Sequence, residues 1–198
     1  MKIAVRFAPL LPALSVLGMA AAPLLSLGGA TQDDPIQMEV SDMLRQLYED
    51  DQAVRGSDWS NLTPEEMGEI HLGDVARRKE VLAILADGYV STADDHFHAA
   101  MILQHGDQPS DYLLSHVLAT VAGFEGHDTA KWLAAASLDR YLQSVDQPQV
   151  FGTQFSMTGS EWTQEPIDGG LFPDALRGQY GVPALGRAED RLEAMNAR

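Results

Sequence analysis

Apolar positions recur at three- and four-residue spacings over most of this chain, the period of helices that bury one face. Ile36, Val40, Met43, Leu44 and Leu47 set that period over 35–55, and Gly56 with Ser57-Asp58 ends it. The stretch "TPEE" then supplies Thr63 as N-cap, Pro64 at the first helical position and Glu66 at the third, a capping box. The helix it opens is predicted to run to Ala86, with a break near Gly73 and Gly88 as C-cap. "STADD" restarts the chain with Ser91 or Thr92 as cap, and Gly106 stops it. A fourth helix starts at Ser110 and ends between Gly123 and Gly126, and a fifth, capped by Asp128, ends near Gln143.

Short loops join the third, fourth and fifth helices, which predicts antiparallel neighbours. Ala119, Ala122, Ala134, Ala135 and Ala136 are small enough to let them approach closely. The fold class is therefore mainly α: antiparallel helical hairpins, as a bundle or a short tetratricopeptide-like stack whose own signature is absent. The helical period stops at Val145. "VFGTQFSMTGSEWTQ" alternates imperfectly and carries a Thr158-Gly159 turn signal, which predicts a short β-hairpin-like segment near 148–165. Pro173-Asp174 open a short helix ending at Gly181, and a polar helix over 186–197 closes the chain.

Residues 1–30 stand apart. Lys2 and Arg6 are followed by no charge until Asp33, and the apolar run Phe7–Leu27 is interrupted by Pro9, Pro12 and Pro23. With the small residues Gly28-Gly29-Ala30, this is the pattern of a secretory signal peptide cleaved before Thr31. An uncleaved N-terminal anchor is the other reading, since the run is just long enough to span a bilayer. The expected location is periplasmic or secreted, with one domain over 31–198. Cysteine is absent, which removes disulfides, thiol chemistry and a lipidated cysteine together. Without Lys2 and Arg6, 11 basic residues face 29 acidic ones, a net charge of −18. Such a surface repels nucleic acid and anionic headgroups, so neither nucleic acid nor membrane, beyond the leader, is an expected partner.

There is no nucleophile elbow, phosphate-binding glycine loop or paired-histidine zinc helix. His96 and His98, two apart, point to different sides of a helix, and His98 and His105, about 10 Å apart along the axis, are too far for one metal ion without help such as His116; neither metal nor cofactor is expected. His105 is the strongest histidine: it ends a helix, where the dipole favours its cation, and Asp107 follows closely enough to hold the ring. In "LDRY", Asp139 shares a helix face with Trp132, and an inward carboxylate needs partners. Arg140 beside it can fork onto a carboxylate of the protein or of a ligand. One chain reversal later comes "PQVFGTQF", residues 148–155. Gln149, Thr153 and Gln154 supply uncharged donors and acceptors, and Gly152 permits a positive φ. These groups orient; they do not abstract protons. A polar cluster of Asp139, Arg140, Gln149, Thr153 and Gln154 is expected beneath the hairpin segment, with His105 and Asp107 nearby.

Six stretches together carry a resemblance: "DQAVRG" (51–56), "AAMILQHGD" (99–107), "LDRY" (138–141), "PQVFGTQF" (148–155), "EPID" (165–168) and "LRGQYGVPAL" (176–185). The series resembles a bacterial family defined as a domain of unknown function. Its pattern is a Gln-His-small-Asp step, an Asp-Arg pair, a Gln-x-aromatic-Gly-Thr-Gln box and a late Arg with Gly-x-Pro-x-Leu. The resemblance implies no activity. It implies that Gln104, His105, Asp107, Asp139, Arg140, Gln149, Gly152, Thr153, Gln154 and Arg177 belong together. "GYVSTADDHFH" (88–98) departs from the family's glycine-rich entry to its helix, which leaves His96 and His98 outside the shared set.

Three functions fit these residues. The first is an exported, non-enzymatic binding or interaction module, in which Arg140 takes the carboxylate of a small ligand, peptide or envelope protein. The second is a hydrolase or lyase acting on a cell-envelope substrate, with His105 as general base oriented by Asp107. The third is a scaffold whose polar cluster is structural.

Overall fold

The structure, a computed structural model, describes residues 35–59, 61–164 and 166–197; the predicted leader lies outside them. Among the described residues there are seven helices and one two-stranded antiparallel sheet. The five long helices are α1 (Pro35–Arg55), α2 (Pro64–Asp87), α3 (Ala93–Leu103), α4 (Pro109–Phe124) and α5 (Ala130–Ser144). They are followed by β1 (Ser156–Thr158), β2 (Glu161–Thr163), α6 (Asp174–Gln179) and α7 (Leu185–Asn196). The mainly α fold with a short hairpin is thus the one the pattern predicts.

The predicted capping box holds, and of the two caps offered for α3 the chain uses Thr92. Thr63 Oγ1 accepts from Glu66 N at 3.2 Å while Glu66 accepts from Thr63 N at 2.7 Å, and Thr92 with Asp95 does the same on α3. Gly88, at φ +78°, ends α2 in the left-handed conformation the sequence leads one to expect. The expected break at Gly73 is absent: α2 runs straight through it, because one interior glycine removes no backbone hydrogen bond and destabilises a helix by only about 1 kcal/mol. Two starts also shift. α4 begins at Pro109, with Gln108 as cap, and α5 is entered from Thr129 rather than Asp128.

α3 is the shortest of the five yet packs against α1, α2, α4 and α5. The five helices are thus gathered around α3, an arrangement that a bundle and a short stack of hairpins share. The reason is local. Ala99 and Ala100 on α3, Ala119 and Ala122 on α4, and Ala130 and Ala134–Ala136 on α5 are all buried, and their small side chains bring the backbones together. Ser115 fills one such contact, donating to Ala100 O at 2.8 Å and bonding Ser137 Oγ at 2.7 Å. Leu44, Val81, Leu103 and Leu133 complete the core, each stabilising by roughly 1.5–3 kcal/mol on burial.

After α5 the chain folds back on it. Phe151, Ala135 and Val182 form a second small core, with the Phe151 ring 4.9 Å from Phe172 and 4.8 Å from Tyr180. The hairpin pairs Met157 with Trp162 and turns through Gly159, at φ +66°. α7 ties down β2, since Asn196 bonds both Trp162 N (2.7 Å) and Trp162 O (3.0 Å). No described helix is long and apolar enough to cross a membrane.

Candidate functional site

Asp139 lies on the buried face of α5 with no exposed surface. It makes no ion pair with its neighbour Arg140. Its Oδ1 instead accepts from Val150 N (2.8 Å) and Phe151 N (2.9 Å), and its Oδ2 from Thr153 N (2.9 Å) and Thr153 Oγ1 (2.8 Å). Gly152 makes this geometry possible. At φ +72° it reverses the backbone so that amides on both sides of it point at one carboxylate. Successive amides arranged this way form an anion-binding concavity, and here the occupant is the protein's own side chain.

The glutamines close the loop around that concavity. Buried Gln149 donates to Gln154 O at 3.0 Å and to Gln164 O, and accepts from Gln154 N at 3.0 Å. Gln164 in turn donates to Gly152 O, and Gln154 Nε2 reaches Ala136 O at 3.2 Å and Thr153 Oγ1 at 2.9 Å. Arg177 is buried below, donating to Phe151 O at 2.5 Å, with its guanidinium 5.0 Å from the centre of the Phe172 ring and 3.3 Å from Asp174. Asp139, Gln149, Gly152, Thr153, Gln154 and Arg177 therefore do come together. The first five are largely satisfied within the loop, while Nε and one terminal nitrogen of Arg177 are buried without a hydrogen-bond partner.

His105 and Asp107 belong to a different knot, and the expected pairing between them is not made. His105 Nδ1 lies 3.0 Å from Asp51 of α1, while Asp107 pairs with Arg78 of α2 at 3.2 Å. The reason is that α3 ends beside the middle of α2 and the end of α1, whose charges reach the ring first. Asp51 is buried, and Arg55 and Arg77 approach it at 3.5 and 3.8 Å. Asp74 bonds both arginines, at 2.8 and 2.5 Å, and Arg78 also meets Asp111 at 3.5 Å and His105 O at 3.3 Å. Sequence reasoning missed this knot. A signal was available: Gln37, Leu44 and Asp51, the buried residues of α1, stand seven apart, so two polar residues occupy a core stripe.

The histidines near the start of α3 are also engaged. His96 lies 2.9 Å from Glu125, His98 stacks on Tyr48 at 4.5 Å, and His127 stacks on Phe97 at 3.8 Å. Burial lowers the pKa of His98 below its ordinary value, against the opposing pull of Asp94 and Asp95. Among the described residues no three His, Asp or Glu side chains converge as metal ligands.

Arg140 points away from Asp139. One of its terminal nitrogens donates to Gln104 O at 3.1 Å, and its Nε is buried without a hydrogen-bond partner. It has no carboxylate partner among the described residues. Burial pulls its pKa below the ordinary arginine value, and the nearby Arg55 charge pushes the same way. A guanidinium does not give up its proton in a protein, so the shift marks a cation held at a cost. Its accessible edge lines a hollow of about 420 Å³ with Tyr112, Gln143, Ser144, Gln154 and Phe155. His105 does not line this hollow. Compared with family models, curated proteins and solved structures, the chain matches none.

Proposed function

We propose that the protein is an exported, non-enzymatic binding or interaction module that takes a carboxylate of its ligand at Arg140. One observation carries this reading: a half-buried guanidinium without a carboxylate partner at the wall of an open polar hollow. A buried cation left uncompensated is unfavourable, and an incoming carboxylate removes that penalty while gaining the forked geometry arginine offers. Tyr112, Gln143, Ser144 and Gln154 supply the hydroxyls and amides that orient a polar ligand. The Asp139 clasp is the scaffold that holds Gln154 and Phe155 at the rim.

The test is calorimetric titration of the purified protein with a blocked single-glutamate peptide, alongside Arg140→Gln and Arg140→Lys. The reading expects binding that Arg140→Gln abolishes and Arg140→Lys weakens. Binding unchanged in both variants refutes it.

The hydrolase or lyase alternative retains one supporting observation. Asp51 holds His105 Nδ1, the arrangement that leaves Nε2 for general-base work. The binding reading is preferred because His105 is not among the residues around the Arg140 hollow.

A further inference from the structure

This chain carries 29 acidic residues against 13 basic ones, so every arginine has carboxylates to choose from. Arg45, Arg55, Arg77, Arg78 and Arg177 each pair with an aspartate or glutamate. Among the described residues, Arg140, Arg187 and Arg191 do not, and all three border one side chain, Phe155. Arg187 and Arg191 stand one turn apart on α7 and line a narrow hollow of about 70 Å³ with Trp132, Thr153 and Phe155. The Arg191 guanidinium lies 5.0 Å from the Phe155 ring centre. Phe155 lines the Arg140 hollow as well. One residue thus borders two recesses, each with a guanidinium that has no carboxylate partner among the described residues.

We propose that the two recesses form one cleft for an extended acidic peptide of a partner protein. One carboxylate sits at Arg140, an apolar side chain lies over Phe155 and Trp132, and a second carboxylate meets Arg187 and Arg191. The inference rests on the Arg140 reading above and deepens it by naming the partner class. Three cations without carboxylate partners on one patch of an acidic protein offer an incoming carboxylate contacts that the chain's own acids do not fill. Arginine beside aromatic rings, here half-buried Phe155 and exposed Trp132, is the composition of energetically dominant protein contacts. A peptide alternates charged and apolar groups along its length, as the cleft does. Nucleic acid also offers anions and rings, but the rest of the surface repels it.

The experiment is calorimetry with three blocked pentapeptides: Glu-Gly-Phe-Gly-Glu and the two forms with one Glu replaced by Gln. Inorganic triphosphate serves as a non-peptide polyanion. The diacid is expected to bind on the order of five-fold tighter than either monoacid, the gain of ion pairs at partly exposed arginines. The double variant Arg187→Gln/Arg191→Gln should erase that gain, bringing the diacid to the affinity of the monoacid whose remaining Glu is held at Arg140. Both residues are exposed, and an unchanged melting temperature confirms that the variant is folded. A diacid no tighter than the monoacids, or a gain that survives the double variant, overturns the extended cleft while the Arg140 reading stands. Triphosphate binding as tightly as the diacid overturns the peptide assignment. Peptide binding that ignores Arg140→Gln, or no binding at all, overturns both readings.

Discussion

Asp139→Asn tests the physics of the clasp most directly. The change keeps the shape of the side chain but removes its charge and replaces one acceptor oxygen with a donor nitrogen. In the native protein both carboxylate oxygens accept, two bonds each, from Val150 N, Phe151 N, Thr153 N and Thr153 Oγ1. Asparagine can serve one pair with its carbonyl; its NH2 then faces the donors of the other pair. A hydrogen bond to a charged group contributes about 1.5–3 kcal/mol, so losing two costs about 3–6 kcal/mol. For a domain of this size each kcal/mol lowers Tm by roughly 2–4 °C, giving an expected drop of roughly 6–24 °C. Circular dichroism melts of the parent and variant measure it, with urea midpoints as a second readout. Thr153→Val, which removes the hydroxyl that donates to Asp139 and accepts from Gln154 Nε2, should lose about 1.5–3 kcal/mol. A Tm within about 2 °C of the parent for Asp139→Asn would show that the loop does not depend on Asp139, and would return that carboxylate to the candidate ligand groups.

Two further outcomes follow from particular contacts. Gly152→Ala places a Cβ 2.6 Å from Ile167 Cδ1 and 3.0 Å from Gln164 Nε2 at φ +72°, so it should destabilise by about 2 kcal/mol or more; an unchanged urea midpoint would show that this conformation is not required. Burial lowers the pKa of His98, so the unfolded chain takes up its proton at higher pH than the folded one does. Its contribution is therefore complete above the ordinary histidine pKa and is lost as pH falls through that value toward the lowered one. His98→Gln should flatten the decline in Tm between about pH 7 and 5; an identical slope in the variant would count against the buried imidazole.

Much of the fold is written in short-range patterns. The cap chemistry of Thr63, Glu66, Thr92 and Gly88, the alanines of α3, α4 and α5, and the end of helical period at Val145 depend on residues a few positions apart. The association of Asp139 with "PQVFGTQF" was also legible, because one reversal was enough to bring them together and an inward carboxylate demands donors. What the pattern did not contain was direction. Asp139 and Arg140 are adjacent on a helix, so their side chains diverge by about 100°; one enters the core and the other borders a hollow. His105 could have turned to Asp107, two residues on, but α1 delivers Asp51 to the ring from 54 positions upstream. Arg187 and Arg191 read as ordinary polar surface until α7 folds back over Phe155. The sequence by itself determined where helices begin and end and which polar groups had to be buried. Only the tertiary structure decided which partners those groups found, because a charge pairs with whatever packing brings within about 4 Å, and distance along the chain does not limit that choice.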